Sequence, residues 1–131
     1  MERFFDSSAL FAWGDEDSVP GKAINKLITE TKPSLVTTDF VFAETLSLVT
    51  KRVGKYHGIR LGERIRNSQI LKVIDIDRAV QEEAWNLYKK YRDKDFDFID
   101  ATSFIVCRRR KIQEVLTLDR HFQQMGFVVV P

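Results

Sequence analysis

A single cysteine, Cys107, stands in the 131-residue chain. No intramolecular disulfide can form, and no cysteine-rich zinc site can be assembled. Its neighbours Phe104, Ile105 and Val106 mark it as a small buried hydrophobe, and as a catalytic thiol it would have only His57 and His121 as bases. No run approaches the ~18 apolar residues that a membrane helix needs. The stretch MERFFDSSALFAW carries Asp6 among its apolar residues and has no cleavage-type region, so no secretory signal is read there. Repeats, low-complexity tracts and internal linkers are also missing. The expectation is one cytoplasmic domain over residues 1–131, neither secreted nor membrane-bound.

What is present suits a packed core. Hydrophobic residues make up 44% of the chain and charged residues 31%, an ordinary globular balance, and ten phenylalanines supply bulk. A chain of this length buries roughly two thirds of its unfolded surface without staples. The formal net charge is only +2, but it is unevenly spread. Residues 51–72 hold seven basic groups, from Lys51 to Lys72, against the one acid Glu63. Residues 93–100 hold four aspartates against Lys94. Such a pairing suits an anionic polymer bound beside a cation site, or unrelated solvated helix faces.

Short apolar strands alternate with helices along the chain. Strands are predicted at 3–6, 34–37, 71–76, 114–118 and 127–130. A helix over 22–31 follows the loop GDEDSVPG, with Ser18 as its cap before Pro20, and Pro33 stops it. A helix over 40–53 is expected to be capped by Asp39 and closed by Gly54. A basic helix over 56–67 is weakened by Gly58 and Gly62. Asp77 caps a long amphipathic helix with Val80, Ala84, Leu87, Tyr88 and Tyr91 inward. Helices over 100–109 and 120–125 complete the set, Gly126 ending the last. The alternation predicts an α/β fold, a parallel sheet covered by helices on both faces.

Four carboxylates occupy positions that packing alone would not choose. Asp6 and Asp119 each end a strand, and ligands of open α/β sheets bind at the carboxyl ends of strands. Glu44 shares a helix face with Phe40, Val41 and Leu48. Asp100 heads a helix whose next turn offers Ser103 and Phe104. Taken singly, Asp6, Asp100 and Asp119 could be helix caps and Glu44 could pair with a base. Taken together they are harder to explain in that way. If they converge they repel, by about 4 kcal/mol for unit charges 4 Å apart at an effective dielectric near 20. Protons or cations must then be present. Hard oxygen donors without thiols point to Mg²⁺ or Mn²⁺, and an ion held between carboxylates and a phosphate serves phosphodiester hydrolysis.

The blocks FFDSSAL (4–10), FVFAETLSLV (40–49), DKDFDFIDATSF (93–104) and VLTLDRHFQQMGF (115–127) resemble those of PIN domains, most closely the VapC-type toxins of prokaryotic toxin–antitoxin pairs. The resemblance runs from end to end of the chain. It implies a PIN-like three-layer fold and an Mg²⁺- or Mn²⁺-dependent endoribonuclease. The family's acidic set falls on Asp6, Glu44, Asp100 and Asp119, as metal ligands and catalytic residues. It also implies an RNA substrate, a homodimer, and a small antitoxin whose C-terminal segment covers the acidic pocket. Asp97 stands where relatives often carry Ser, and Ile99 where they often carry Thr; Asp97 is expected to face solvent. His121 and Phe122 are expected to be structural, with a ring nitrogen of His121 fixing a loop. The run from Arg108 to Lys111 reads as a solvated helix end, residues 51–66 as the better surface for substrate or partner, and Trp13 and Trp85 as core or interface aromatics.

Two rival readings remain open at this level. One is a housekeeping PIN nuclease of RNA maturation or decay, without an antitoxin. The other is an inactive PIN fold that binds RNA or protein, against which the presence of all four acids counts. An acidic α/β phosphatase would need Asp-x-Asp after the first strand, where this chain has Asp6-Ser7-Ser8.

Overall fold

The computed structural model describes all 131 residues. Its first strand, β1 (Glu2–Phe5), sets the architecture. Phe4 and Phe5 point to opposite faces of a strand, and both are fully buried, so both faces of the sheet are covered. The elements that follow are α1 (Ser7–Gly14), α2 (Val19–Thr31), β2 (Ser34–Thr38), α3 (Asp39–Arg52), α4 (Lys55–Asn67) and β3 (Leu71–Ile74). Then come α5 (Arg78–Lys90), α6 (Phe98–Arg109), β4 (Glu114–Leu116), α7 (His121–Gln124) and β5 (Val128–Val130). The five strands are all parallel, in the order β3-β2-β1-β4-β5. The chain thus winds outward from β1 in one direction through β2 and β3, and in the other through β4 and β5. The reversal lies between β1 and β4, and the crevice beyond their carboxyl ends is where such sheets bind ligands.

Two glycines are required by geometry. At Gly21 a side-chain carbon would lie 2.1 Å from the Asp15 carbonyl oxygen and 2.4 Å from that of Ala12, so only glycine lets α2 start against the end of α1. Gly54 has φ +127 and turns the chain between α3 and α4. Ser18 caps α2 by accepting from the Gly21 amide, with Pro20 in the first turn. α4 forms despite Gly58 and Gly62 because their face packs on α3.

Several boundaries differ from the sequence expectation for identifiable reasons. Thr38, not Asp39, caps α3, its hydroxyl accepting from the Val41 amide. The Asp39 carboxylate accepts instead from the amides of Phe40 and Ile76. That second bond takes the Ile76 N–H out of the ladder, and β3 stops at Ile74. β4 stops at Leu116 because side chains claim the next amides: Leu118 donates to Ser8 and Asp119 to Thr117. Tyr88 is not inward but 41% exposed, and Trp85 is 48% exposed, whereas Trp13 is core. The basic run at the end of α6 is not wholly free. Arg109 pairs with Glu83, and Arg110 grips Glu2 through two hydrogen bonds.

One cluster of rings joins the sheet to α6. Phe104 lies fully buried with its ring centroid 4.9 Å from Phe122, 5.1 Å from Phe96 and 5.8 Å from Phe127. Phe104 stands four residues after Asp100, one turn along, so this packing sets the height at which the start of α6 meets the strand ends. Phe104→Ala is expected to cost about 3–5 kcal/mol, seen as a lower denaturant midpoint at unchanged slope. A loss below about 1 kcal/mol would mean that the rings do not anchor the helix.

Candidate active site

Asp6 directly follows β1, and Thr117 to Asp119 directly follow β4. The register Phe5↔Leu116 and the bond from the Asp6 amide to the Leu116 carbonyl carry the pairing one residue further. Asp6 therefore lies beside Thr117. Asp6 occupies the N-cap position of α1, yet its side chain makes no capping bond. It turns to Thr117, whose hydroxyl donates to Oδ2 at 2.8 Å. Because the one hydroxyl proton of Thr117 is spent on Asp6, the Ser8 hydroxyl donates either to Thr117, 3.1 Å away, or to Asp6 Oδ2 at 3.3 Å. Ser8 and Thr117 in turn accept from the amides of Leu118 and Asp119. A small hydroxyl network thus fixes the loop after β4 onto the start of α1.

The other oxygen, Asp6 Oδ1, is buried with no hydrogen-bond partner. The residue is 2% exposed. A buried carboxylate oxygen without a partner is costly. Burial raises the pKa of Asp6 from 3.8 to about 6, with the Thr117 and Ser7 bonds opposing the shift and the charges of Glu44 and Asp119 adding to it.

Asp100 lies at the third position of α6. Asp97 is the cap, and the two residues form a reciprocal pair: Asp97 Oδ1 accepts from the Asp100 amide at 2.8 Å, and Asp100 Oδ2 accepts from the Asp97 amide at 3.1 Å. Asp97 is exposed, as expected, but it also fixes the start of the helix. The capping explanation for Asp100 is therefore half right, since one of its oxygens is engaged in this way. Burial pushes the Asp100 carboxyl well above the usual carboxylate range, and the charges of Asp97, Asp6 and Asp119 push it further. Glu44, half-buried on α3, has its pKa raised by burial, with Ser7 opposing and Asp97 and Asp119 adding.

Asp119 accepts from the backbone amide of His121 at 3.0 Å and meets the His121 Nδ1 at 2.9 Å. The same Nδ1 is 3.8 Å from Asp100 Oδ2. His121 thus fixes the loop, as expected, and it also stands among the acids. Candidate ligand atoms of Asp100, Asp119 and His121 all lie within 4.8 Å of one another. Asp6 and Glu44 stand outside this tight group but within electrostatic reach of it. The fold therefore gathers all four predicted acids at the switch point between β1 and β4. Sequence reasoning passed over Ser8 and Thr117, for which the only signal was their position beside strand-ending aspartates. A cavity of about 620 Å³ lies elsewhere, between α1, α3 and α4, and none of the four acids lines it.

An unpartnered buried oxygen, carboxyls of raised pKa and two carboxylates drawn close together beside an imidazole fit a divalent cation. Proton linkage gives a test. A carboxyl with a higher pKa folded than unfolded holds its proton more tightly in the native state, so ionising it destabilises the fold. Metal-free protein should lose stability as pH rises from 3.8 through about 6 as Asp6 ionises, and lose more above that as Asp100 does. Asp100→Asn should then melt a few degrees higher than wild type in EDTA near neutral pH, and excess Mg²⁺ should reverse the order. A lower melting temperature for the variant in EDTA would show that no such repulsion exists.

Comparison with known proteins agrees with this geometry. The family model described as PIN domain matches residues 3–128. The 23S rRNA-specific endonuclease VapC20 of Mycobacterium tuberculosis is 29% identical over 127 residues, 97% of this chain and 96% of that one. Ribonuclease VapC26 of the same organism is 28% identical over 133 residues, 96% of this chain and 98% of its own. The crystal structure of VapC20, described as a Sarcin-Ricin loop cleaving toxin, superimposes with a TM-score of 0.90 and covers both chains fully at 28% identity. VapBC2 from Rickettsia felis, bound to a DNA fragment from its promoter, has a TM-score of 0.74 over 98% of this chain and 97% of that one. At 13% identity it shares the fold alone.

Proposed function

The chain belongs to the PIN domain family, and we infer that it is an endoribonuclease of the VapC type, the toxin of a toxin–antitoxin pair. The observation that carries this reading is the meeting of Asp6, Asp100 and Asp119 at the sheet's switch point, with the buried Asp6 Oδ1 lacking any partner within the protein. The names and full-length coverage of VapC20 and VapC26 support it.

Asp6, Asp100 and Asp119 are the residues that would hold Mg²⁺ or Mn²⁺, with Glu44 completing the set. Such an ion, bound beside a scissile phosphate, lowers the pKa of an attacking water and neutralises charge on the leaving oxygen. The protein's own contributions are positional and electrostatic. Thr117 and Ser8 hold Asp6, the capping pair holds Asp100, and His121 holds Asp119. Glu44 binds a proton more readily than an ordinary carboxylate, which suits it to accept one from the attacking water. Hydrolysis in this way leaves 5′-phosphate and 3′-hydroxyl ends. The exposed cations of α3 and α4, among them Lys51, Arg52, Lys55, Arg60 and Arg66, offer a positive surface for substrate or partner. A homodimer, and a small antitoxin whose C-terminal segment covers the acids, complete the proposal. VapC20 acts on 23S rRNA by its name, and rRNA is therefore the first substrate to assay.

Brief induction of wild type in cells should create discrete new 5′-phosphate RNA ends that Asp100→Asn does not create. The same cleavage by purified protein should stop in EDTA and return with Mg²⁺ or Mn²⁺. Undiminished cutting by folded Asp100→Asn would remove the acids from the chemistry.

A further inference from the structure

The cavity between α1, α3 and α4 carries both signs of charge around an apolar lining. Asp15 and Asp17 line it from the connection after α1, and His57 and Arg60 line it from α4. Arg64 and Glu16 pair across it at 3.3 Å. The other four charged groups, all exposed, take part in no ion pair, although they are opposite in sign and share one cavity. Arg60 only leans over the Tyr56 ring, 5.9 Å from its centroid. Between them lie Phe11, Val49 and Val53. The guanidinium of Arg52 stands over the Phe11 ring at 5.7 Å.

This combination matches a nucleotide. A volume of about 620 Å³ is that of a small-molecule site. Unstacked bases are bound on aromatic rings and guanidinium planes, as Phe11 and Arg52 offer. Carboxylates accept from the amino groups of adenine, cytosine and guanine, whereas uracil has no amino group to give. The cations of α4 suit the phosphate, and Lys51, Arg52 and Lys55 continue them outward as a track for a polyanion. A peptide segment of mixed charge would meet the same walls but has no need of that track. The cavity also has a fixed relation to the acids. Phe11 lies five residues after Asp6, and Val49 five after Glu44. At 1.5 Å per helical residue that is about 7.5 Å along the axis, the length of about two stacked nucleotides.

We propose that this cavity holds one unstacked nucleotide of the RNA substrate, about two positions from the scissile phosphate, and selects a base with an exocyclic amino group. The proposal rests on the reading of the protein as a ribonuclease and supplies a source of its specificity.

The test is fluorescence anisotropy with labelled hexa-adenylate, hexacytidylate and hexauridylate on full-length Asp100→Asn protein in Mg²⁺, with circular dichroism as the check on folding. The adenylate and cytidylate should each bind about fivefold or more tighter than the uridylate. Adding Asp15→Asn with Asp17→Asn should bring the three affinities together. Val53→Trp, an exposed and uncharged change at the cavity, should do the same by filling it. Lys55→Ala, outside the cavity, should weaken all three alike and keep the preference. Equal binding of the three strands, or a preference untouched by Val53→Trp and by the aspartate pair, would overturn the pocket while new RNA ends in cells still upheld the ribonuclease. A wild type that creates no new ends would overturn both. Intact base preference in Val53→Trp, with loss of its complex with a co-expressed small protein encoded beside it, would assign the cavity to that protein instead.

Discussion

A carboxylate that water can barely reach sits at the end of the central strand. Asp6 Oδ2 is held by hydroxyls and Oδ1 by nothing. Further acids crowd toward it from three other elements. The charges are mutually unfavourable and cannot relax apart, because each is tethered by its own backbone: Asp6 by the β1–β4 ladder, Asp100 by the capping pair, Asp119 by His121, Glu44 by α3. The native state thus holds a standing demand for positive charge at one point. Packing resists the repulsion from behind, through the phenylalanines beneath α6.

The opposite edge of the sheet shows the contrast. There the charges are settled in pairs, Arg3 with Glu114 and Arg110 with Glu2. The same chain satisfies its ions at the amino ends of the strands and leaves them unsatisfied at the carboxyl ends. Unsatisfied charge has therefore collected at the carboxyl ends of the strands, the edge at which open parallel sheets bind ligands.

Much of this was legible from the residues. Strand-ending aspartates, a glutamate on an apolar helix stripe and an acid passing into a buried run each broke a local rule, and the broken rules converged on one place. Other features were not legible, for reasons of detail rather than pattern. Thr38 and Asp39 are adjacent and both are good caps; which one served depended on Ile76, 37 residues away, drawing off the Asp39 carboxylate. Ser8 and Thr117 are ordinary loop residues until the strand register sets them side by side. Tyr88 fits an inward helical phase only if the stripe is taken as wide, and the observed stripe of Val80, Ala84 and Leu87 is narrow. His121 reads as a loop fastener from sequence because its distance to Asp100 exists only after folding.

The order of the strands also governs when the molecule becomes complete. β1 is made first, but its neighbour β4 and the Thr117 hydroxyl that steadies Asp6 lie 111 residues later. During synthesis the first acid must wait for nearly the whole chain to emerge before its surroundings close. A nuclease of this family thus stays without an assembled centre while it is being translated, and gains one only as its last strands dock.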